Sequence, residues 1–140
     1  LVDSLQKRIN FLRNVVETLD LAEVELIHGR AEDLAQKYNY REKFDLCISR
    51  AVANLAVLTE YCLPFVKKGG YFAAAKGPDL DNELKDANKA ITVLGGQIDE
   101  LEYYTLPYLN ENRSFVKIIK TAETPQKYPR KAGIPAKKPL

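Results

Sequence analysis

Three charged residues in the sequence each come directly after an apolar run. Arg50 and Lys76 follow two runs in the middle of the chain, and Asp3 follows the first two residues. Ligands of open α/β sheets bind at the carboxyl ends of the strands, so these side chains are candidates for a binding site. Arg50 and Lys76 are predicted to converge on one crevice, where two cations suit an anionic group such as a nucleic-acid phosphate or a carboxylate. The alternative interpretation is a pair of solvated charges at strand ends.

Two acidic positions have the placement of nucleoside-binding groups. Asp3 could accept hydrogen bonds from ribose hydroxyls, although a carboxylate before a helix also offsets the helix macrodipole. Ala31 and Glu32 follow a second predicted strand, where an adenine ring could lie against a small side chain and beside a carboxylate. Glu32 is also suited to the first turn of a helix, so both interpretations stay open.

The sequence lacks the residue patterns of a metal site, of a catalytic triad and of a membrane span. His28 is the only histidine and has no partner at ligand spacing, so we predict no metal site and no catalytic triad. Cys47 and Cys62 form neither a C-x-x-C pair nor a metal pattern, which indicates two buried thiols of a reducing cytosol. The chain has no apolar run of about 18 residues, which predicts a soluble, cytoplasmic protein without a membrane span.

Hydrophobic periodicity places these residues on alternating strands and helices. Ser4 is the expected N-cap of the first helix, and residues 67–70 are the expected turn before the strand that ends at Lys76. This order predicts an α/β fold with a mostly parallel, doubly wound sheet and an antiparallel hairpin at one edge. The predicted elements are a strand end at 1–3, a helix from Ser4, strands at 24–28, 44–49 and 71–76, a helix from Val52 to Cys62, a helix at 79–94, and a hairpin of strands 98–106 and 114–120.

The end of the chain differs in composition from the rest. Residues 1–120 carry 16 basic and 18 acidic side chains, whereas residues 121–140 carry 5 basic and 1 acidic, and 4 of the 7 prolines lie in residues 124–140. We therefore predict a partial domain over residues 1–120 and a basic, proline-rich tail over 121–140, extended and ordered only by a partner. Tyr128 lies between cations and could stack on a base, although such charge runs are usually solvated.

Several short motifs occur in the same order as in one known family. They are Leu1-Val2-Asp3-Ser4-Leu5-x-Lys7-Arg8-Ile9-x-Phe11-Leu12, Arg30-Ala31-Glu32, Ser49-Arg50-Ala51-Val52-Ala53, Ala75-Lys76-Gly77 and Lys127-Tyr128-Pro129-Arg130-Lys131-Ala132-Gly133-Ile134-Pro135. In these motifs the chain closely resembles the bacterial ribosomal small-subunit methyltransferase G family, also called glucose-inhibited division protein B. The resemblance covers essentially all 140 residues.

The resemblance implies a class I S-adenosylmethionine-dependent methyltransferase that methylates N7 of a guanine in 16S ribosomal RNA. That RNA or the small ribosomal subunit would be its partner, and we expect a monomer without a metal. Asp3 would hold the ribose of the cofactor, Ala31 and Glu32 would bracket its adenine, and Arg50 would lie beside it as the best catalytic candidate. The resemblance also points to RNA contacts at Lys76, Arg113, Lys127, Arg130 and Lys131.

One feature of the family is missing from the sequence. The family has a glycine-rich loop after its first strand, against the methionine part of the cofactor, whereas this chain starts at Leu1 and contains no methionine. We therefore expect a carboxyl-terminal fragment that lacks a strand in the middle of its sheet and binds the cofactor poorly by itself. Two alternatives stay open: a non-catalytic RNA-binding remnant, and a nicotinamide-dependent dehydrogenase, although no Tyr-x-x-x-Lys pair occurs.

Overall fold

The chain alternates between strands and helices and then ends in a hairpin and a short helix. The structure is a computed structural model that describes residues 1–50 and 53–140. None of the helices in this described part is both long and apolar enough to cross a bilayer. The strands are β1 (Val2–Asp3), β2 (Ile27–His28), β3 (Phe44–Arg50), β4 (Val66–Lys76), β5 (Gly96–Leu106) and β6 (Glu111–Lys120). The helices are α1 (Gln6–Thr18), α2 (Ala31–Leu34), α3 (Leu55–Cys62), α4 (Leu80–Val93) and α5 (Ile134–Lys137), with a 3-10 turn at Leu63–Phe65.

The strands form two sheets. β1 and β2 pair in parallel, with Asp3 opposite His28. The second sheet has the order β3-β4-β6-β5, in which β3 and β4 are parallel and β6 is antiparallel to both of its neighbours. Within residues 1–50 and 53–140, no strand of one sheet pairs with a strand of the other. The predicted α/β class with a carboxyl-terminal antiparallel hairpin is confirmed.

The main core lies on one face of the four-stranded sheet, under α3 and α4. Every residue of α3 except Tyr61 is buried, because an almost wholly apolar helix gains free energy when all its sides leave water. Leu55 packs in one cluster with Phe72 of β4, and both side chains are fully buried. On the opposite face of the sheet, Leu46 and Ile48 are exposed by 50% and 68%. Among the described residues, the main core of this sheet therefore lies on the side of α3 and α4.

A smaller apolar cluster attaches α2 to the four-stranded sheet. Leu34 and Ala35 are buried against Phe65, which follows α3. The ring of Phe44, the first residue of β3, meets the Phe65 ring edge-on at 6.1 Å between centroids. Nearby, the Lys43 amide donates a hydrogen bond to the Phe65 carbonyl at 3.0 Å. The two sheets are thus joined through α2 and its flanking loop.

Two elements near the amino end differ from the predictions. Ser4 does not cap α1; the Asp3 carboxylate instead accepts a hydrogen bond from the Leu5 amide at 2.8 Å, and the helix begins at Gln6. The strand predicted over residues 24–28 pairs with β1 only at its last two residues, Ile27 and His28. Short pairing here leaves most of the segment before β2 as loop.

The strand before Lys76 is longer than predicted. Residues 67–70, expected to be a turn, lie inside β4. Gly69 has a φ of +85°, which favours glycine, and a Cβ on Gly70 would come within 2.5 Å of the Asp45 carbonyl. The two glycines therefore let the strand change its register with β3 without ending. The helix predicted from Val52 is seen from Leu55; Ala51 and Val52 lie outside the described residues.

Residues 121–140 fold back onto the domain, which corrects the prediction of an extended tail ordered only by a partner. Tyr128 and Pro129 are buried. The Arg41 guanidinium donates hydrogen bonds to the carbonyls of Thr124 and Tyr128 at 2.7 and 2.8 Å. Composition did not reveal this packing, because the backbone of the segment finds its hydrogen-bond donors on a residue about 85 positions earlier in the chain.

Candidate active site

Asp3 stands at the carboxyl end of β1, with its side chain 21% exposed. Its Oδ1 accepts a hydrogen bond from the Leu5 amide at 2.8 Å, and its Oδ2 accepts one from the Arg8 guanidinium at 3.2 Å. The Leu5 hydrogen bond, helped by Arg8, lowers the pKa of Asp3 below its usual value. The carboxylate is therefore ionised at neutral pH, and each oxygen keeps a lone pair for a further donor.

Ala31 and Glu32 form the first turn of α2, directly after β2. The Gly29 amide donates to the Asp3 carbonyl at 3.0 Å, so α2 begins beside the end of β1. Glu32 is only 4% exposed, and its Oε1 accepts a hydrogen bond from the Gly133 amide at 3.0 Å. The structure therefore brings Asp3, Ala31 and Glu32 to one end of the two-stranded sheet. No pattern in the sequence predicted the contact between Glu32 and Gly133.

Arg50 and Lys76 end neighbouring strands, but their side chains do not share a crevice. Arg50 is aligned with Ala75 in the parallel register, and side chains alternate between the two faces of a sheet. Arg50 and Lys76 therefore project from opposite faces, and Arg50 is exposed on the face that carries Ile48. The predicted convergence of Arg50 and Lys76 is wrong. Two strands can end side by side while their last side chains point to opposite faces of the sheet, as happens here because Arg50 is aligned with Ala75.

Lys76 lies in the interior, with its side chain 6% exposed. Its ammonium donates to the Ala53 carbonyl at 2.6 Å and forms an ion pair with Glu83 of α4 at 2.7 Å. The same Glu83 oxygen accepts a hydrogen bond from the Leu55 amide at 2.7 Å. Lys76 thus fixes the start of α3 to α4, and this placement argues against the RNA contact that was predicted for it.

Arg113 lies near the hairpin end of β6, on the same face of the sheet as Arg50. Ala75 is aligned with both Arg50 and Phe115, and Arg113 is two residues from Phe115 along β6. The Arg113 side chain is 37% exposed and forms an ion pair with Glu111. Arg50 and Arg113 are therefore two predicted site cations that share one face and one end of the sheet.

The three cations predicted in the carboxyl-terminal segment have different surroundings. Lys127 and Lys131 are exposed. The Arg130 side chain instead binds the Glu60 carboxylate through Nε at 2.9 Å and Nη2 at 2.6 Å, and the Arg130 amide donates to it at 2.8 Å. Glu60 lies on α3 and is 1% exposed. Arg130 therefore holds the segment in place, and its predicted RNA contact is not supported, whereas those of Lys127 and Lys131 stay predictions.

A group of buried charges that surrounds the same segment was not predicted from the sequence. Lys120 is fully buried, forms an ion pair with Glu42 at 2.9 Å, and donates to the Thr124 hydroxyl at 2.7 Å. Burial lowers the pKa of Lys120, although the Glu42 carboxylate opposes that shift. A charged residue inside an apolar run was the available signal, since Glu60 interrupts α3 and Lys120 ends β6.

The histidine and the two cysteines have ordinary structural surroundings. His28 Nε2 lies 3.1 Å from the Ser4 carbonyl, an ordinary hydrogen-bond distance. Cys47 is half-buried on β3 and Cys62 is buried at the end of α3, and both are free thiols. In the part of the chain that the structure describes, no group of three His, Cys, Asp or Glu side chains could hold a metal ion.

Several solved structures share this fold. A putative methyltransferase from Bacillus halodurans matches with a TM-score of 0.61 over 86% of this chain and 82% of that one, at 14% identity. An rRNA methylase from Streptococcus thermophilus gives 0.60 over 86% and 72%, at 18% identity. Fibrillarin from Aeropyrum pernix, in complex with natively bound S-adenosyl-L-methionine, gives 0.60 over 84% and 54%, at 15% identity. These likenesses define the fold, which is that of class I methyltransferases.

Curated relatives are much more similar in sequence. The proteins named ribosomal RNA small subunit methyltransferase G from Lactobacillus acidophilus and from Desulforamulus reducens are each 56% identical over 140 residues, which is 100% of this chain and 58% of theirs. The chain thus spans somewhat more than half the length of these relatives. The family model GidB, described as rRNA small subunit methyltransferase G, matches residues 1–116. The chain belongs to the rRNA small subunit methyltransferase G family.

Proposed function

We propose that the chain forms the cofactor-facing and RNA-facing part of a methyltransferase that transfers a methyl group from S-adenosylmethionine to N7 of a guanine in 16S ribosomal RNA. The observation that carries the proposal is the grouping of the Asp3 and Glu32 carboxylates at the carboxyl ends of two parallel strands, in a chain of this family. Family membership favours methyl transfer over the dehydrogenase and over a non-catalytic remnant. A cytoplasmic, monomeric protein is part of the same proposal.

The residues at this strand end fit the nucleoside half of the cofactor. Asp3 is an ionised acceptor with capacity for ribose hydroxyls. Ala31 is small enough to lie against a flat ring, and Glu32 Oε2 has no hydrogen-bond partner among the described residues, while Oε1 is held by Gly133. When bound here, S-adenosylmethionine would supply an activated methyl group on its sulfonium.

The proposed acceptor atom does not require a general base. Guanine N7 presents a lone pair, so it can take a methyl group without first losing a proton. The protein then has to align this nitrogen with the methyl carbon and with the departing sulfur. Arg50 suits such a role, because a guanidinium remains protonated at neutral pH and can hold an anionic group but not move a proton.

Exposed cations supply candidate contacts for the RNA backbone. Arg50 and Arg113 share one face of the sheet, and Lys127 and Lys131 lie on the surface of the carboxyl-terminal segment. Guanidinium and ammonium groups bind phosphates through charge-assisted hydrogen bonds. Structured RNA is recognised through its shape and its unpaired bases, so such a surface would have to be combined with a pocket for one accessible guanine.

Replacing Arg50 with alanine in the full-length protein tests the proposal. The assay follows labelled methyl groups from S-adenosylmethionine into N7-methylguanine of 16S rRNA isolated from cells that lack the modification. We expect Arg50→Ala to lower turnover by about a hundredfold or more, because alignment is lost. Arg13→Ala, at an exposed arginine of α1, is the matched control and should change turnover less than about twofold.

Two outcomes would contradict different parts of the proposal. Unchanged turnover by Arg50→Ala would remove Arg50 from the active site. Failure of the wild-type protein to form N7-methylguanine on free 16S rRNA, on the small subunit and on the assembled ribosome would contradict the proposed reaction. Circular dichroism of both variants checks that folding is intact, which is expected because Arg50 and Arg13 are exposed.

A further inference from the structure

The helix that carries Ala31 and Glu32 is too short to hold its own position. α2 has four residues, and its N-cap residue, Arg30, makes no side-chain capping hydrogen bond. A single helical turn is unstable by itself, because nucleation fixes several residues for one hydrogen bond. The orientation of α2 must therefore come from contacts with other parts of the chain.

Residues 124–133 provide several of these contacts. Gln36, just after α2, donates through Nε2 to the Pro129 carbonyl at 2.7 Å. Arg41 donates to three further carbonyls of the segment, those of Thr124, Pro125 and Tyr128. The pair between Arg130 and Glu60 ties the segment to α3. The segment is thus fixed between α3 and the loop that follows α2, in a position where it can support α2.

The contact closest to the proposed cofactor site is the hydrogen bond from the Gly133 amide to Glu32 Oε1, at 3.0 Å. It acts on a side chain that is only 4% exposed. A hydrogen bond to one oxygen of a buried carboxylate fixes the rotation of the whole group, and therefore also the direction of its second oxygen.

We infer that Gly133 is a positioning residue of the cofactor site. Its amide fixes the Glu32 carboxylate and, with it, the first turn of α2 in the orientation that receives the adenosyl group. The inference rests on the proposed function, because it assumes that Glu32 faces the cofactor. It gives the segment 124–133 a role in cofactor affinity that is separate from the RNA contacts predicted for Lys127 and Lys131.

The backbone of Gly133 allows a test without a steric clash. Gly133 has a φ of +82°, and a Cβ added there would meet no atom of the described residues within 4 Å. Alanine would therefore strain only the backbone and displace the amide from Glu32. Gly69 is a matched control, because it has a φ of +85° and equally open space among the described residues but lies in β4 and not in the segment 124–133. Asparagine tolerates this region better than alanine and serves as the rescue variant.

The experiment compares Gly133→Ala, Gly69→Ala and Gly133→Asn in the full-length protein. Calorimetric titration with S-adenosylhomocysteine gives the Kd, and urea unfolding gives the stability of each variant. We expect Gly133→Ala to raise the Kd about fivefold or more, while Gly69→Ala loses similar stability and changes the Kd less than about twofold. Gly133→Asn should restore most of the affinity. In steady-state assays, Gly133→Ala should raise the KM for S-adenosylmethionine and leave kcat and the KM for RNA unchanged.

The outcomes separate this inference from the proposed function. Equal Kd values for Gly133→Ala and Gly69→Ala, or a Gly133→Ala protein that does not fold, would overturn the positioning role. An increase in the KM for RNA that matches the increase for S-adenosylmethionine would overturn it as well. A wild-type protein that neither binds S-adenosylhomocysteine nor methylates RNA would contradict the proposed function itself and the inference with it.

Discussion

Residues 1–28 and residues 44–120 use their apolar side chains very differently. In residues 1–28, all of which the structure describes, Ile9 is the one buried apolar side chain, and large side chains such as Phe11 are exposed. In residues 44–120, two helices cover one face of a sheet and bury an extended cluster around Phe72. Hydrophobic stabilisation scales with the apolar area removed from water, so most of it belongs to the second region. The proposed cofactor residue Asp3 belongs to the first region, where its carboxylate accepts a hydrogen bond from the Leu5 amide and pairs with Arg8.

Matched phenylalanine substitutions give the largest expected difference between the two regions. Phe72 is fully buried, so Phe72→Ala should lower the free energy of unfolding by about 3–5 kcal/mol, through lost burial and a new cavity. Phe11 is 65% exposed, so Phe11→Ala should change it by less than about 0.5 kcal/mol. Urea unfolding measures both. Ile118→Val, at a fully buried site, should cost about 1 kcal/mol and serves if Phe72→Ala does not fold. Equal losses at Phe72 and Phe11 would contradict the comparison.

Matched arginine substitutions should give the next largest effect. Arg130→Ala would leave the Glu60 carboxylate, 1% exposed, without its cationic partner, and should cost about 3 kcal/mol of unfolding free energy. Arg8→Ala breaks the pair with Asp3, in which the Arg8 side chain is 67% exposed, and should cost no more than about 1 kcal/mol. Thermal and urea unfolding of the two variants test the difference. A larger loss of unfolding free energy for Arg8→Ala than for Arg130→Ala would contradict this prediction.

The sequence predicted the two regions to different degrees. Strand–helix alternation and the hairpin followed from periodicity and were confirmed for residues 44–120, because long apolar elements leave a clear pattern. The position of residues 121–140 did not follow, since it depends on pairs such as Glu60 with Arg130 that are 70 positions apart. At the site, the placement of Asp3 and Glu32 at strand ends could be predicted, whereas the separation of Arg50 from Lys76 could not. That separation depends on register, which a single strand does not reveal.

The pH dependence of stability should differ between the wild-type protein and Asp3→Asn. The pKa of Asp3 is lowered from 3.8 in the folded state, chiefly by the Leu5 amide. The ionised carboxylate therefore stabilises the fold at pH values above 3.8, and this contribution disappears as the pH falls through the lowered pKa. Between neutral pH and a pH below 3.8, the wild-type protein should lose more stability than Asp3→Asn. The difference should be smaller than the effect at Arg130, because the Asp3 site is close to solvent.

Urea unfolding at the two pH values provides the measurement for Asp3. Asp33→Asn, at an exposed aspartate of α2, controls for the removal of one carboxylate. An identical loss of stability in Asp3→Asn and the wild-type protein would show that the Leu5 and Arg8 contacts do not stabilise the folded state.

The smallest expected effect concerns the thiols of Cys47, on β3, and Cys62, at the end of α3. The hydrogen bond with Cys62 lowers the pKa of Cys47, whereas the hydrogen bond with Cys47, together with burial, raises the pKa of Cys62. Alkylation requires a thiolate, so iodoacetamide should modify Cys47 before Cys62, as read by mass spectrometry of the native protein. Cys47→Ser should then leave a thiol that reacts only on unfolding. Faster modification of Cys62 than of Cys47 would contradict the burial of Cys62 in the core under α3 and α4.

The contacts of Glu83 determine how a substitution at Lys76 has to be interpreted. One carboxylate oxygen receives both the Lys76 ammonium and the Leu55 amide, so it links the end of a strand to the beginnings of two helices. Replacing Lys76 with a neutral residue would leave the Glu83 carboxylate without its cationic partner at this junction, and so disturb the strand and both helices. An inactive Lys76 variant would therefore report a damaged scaffold, and only a double-mutant cycle with Glu83 could separate that damage from any loss of substrate affinity.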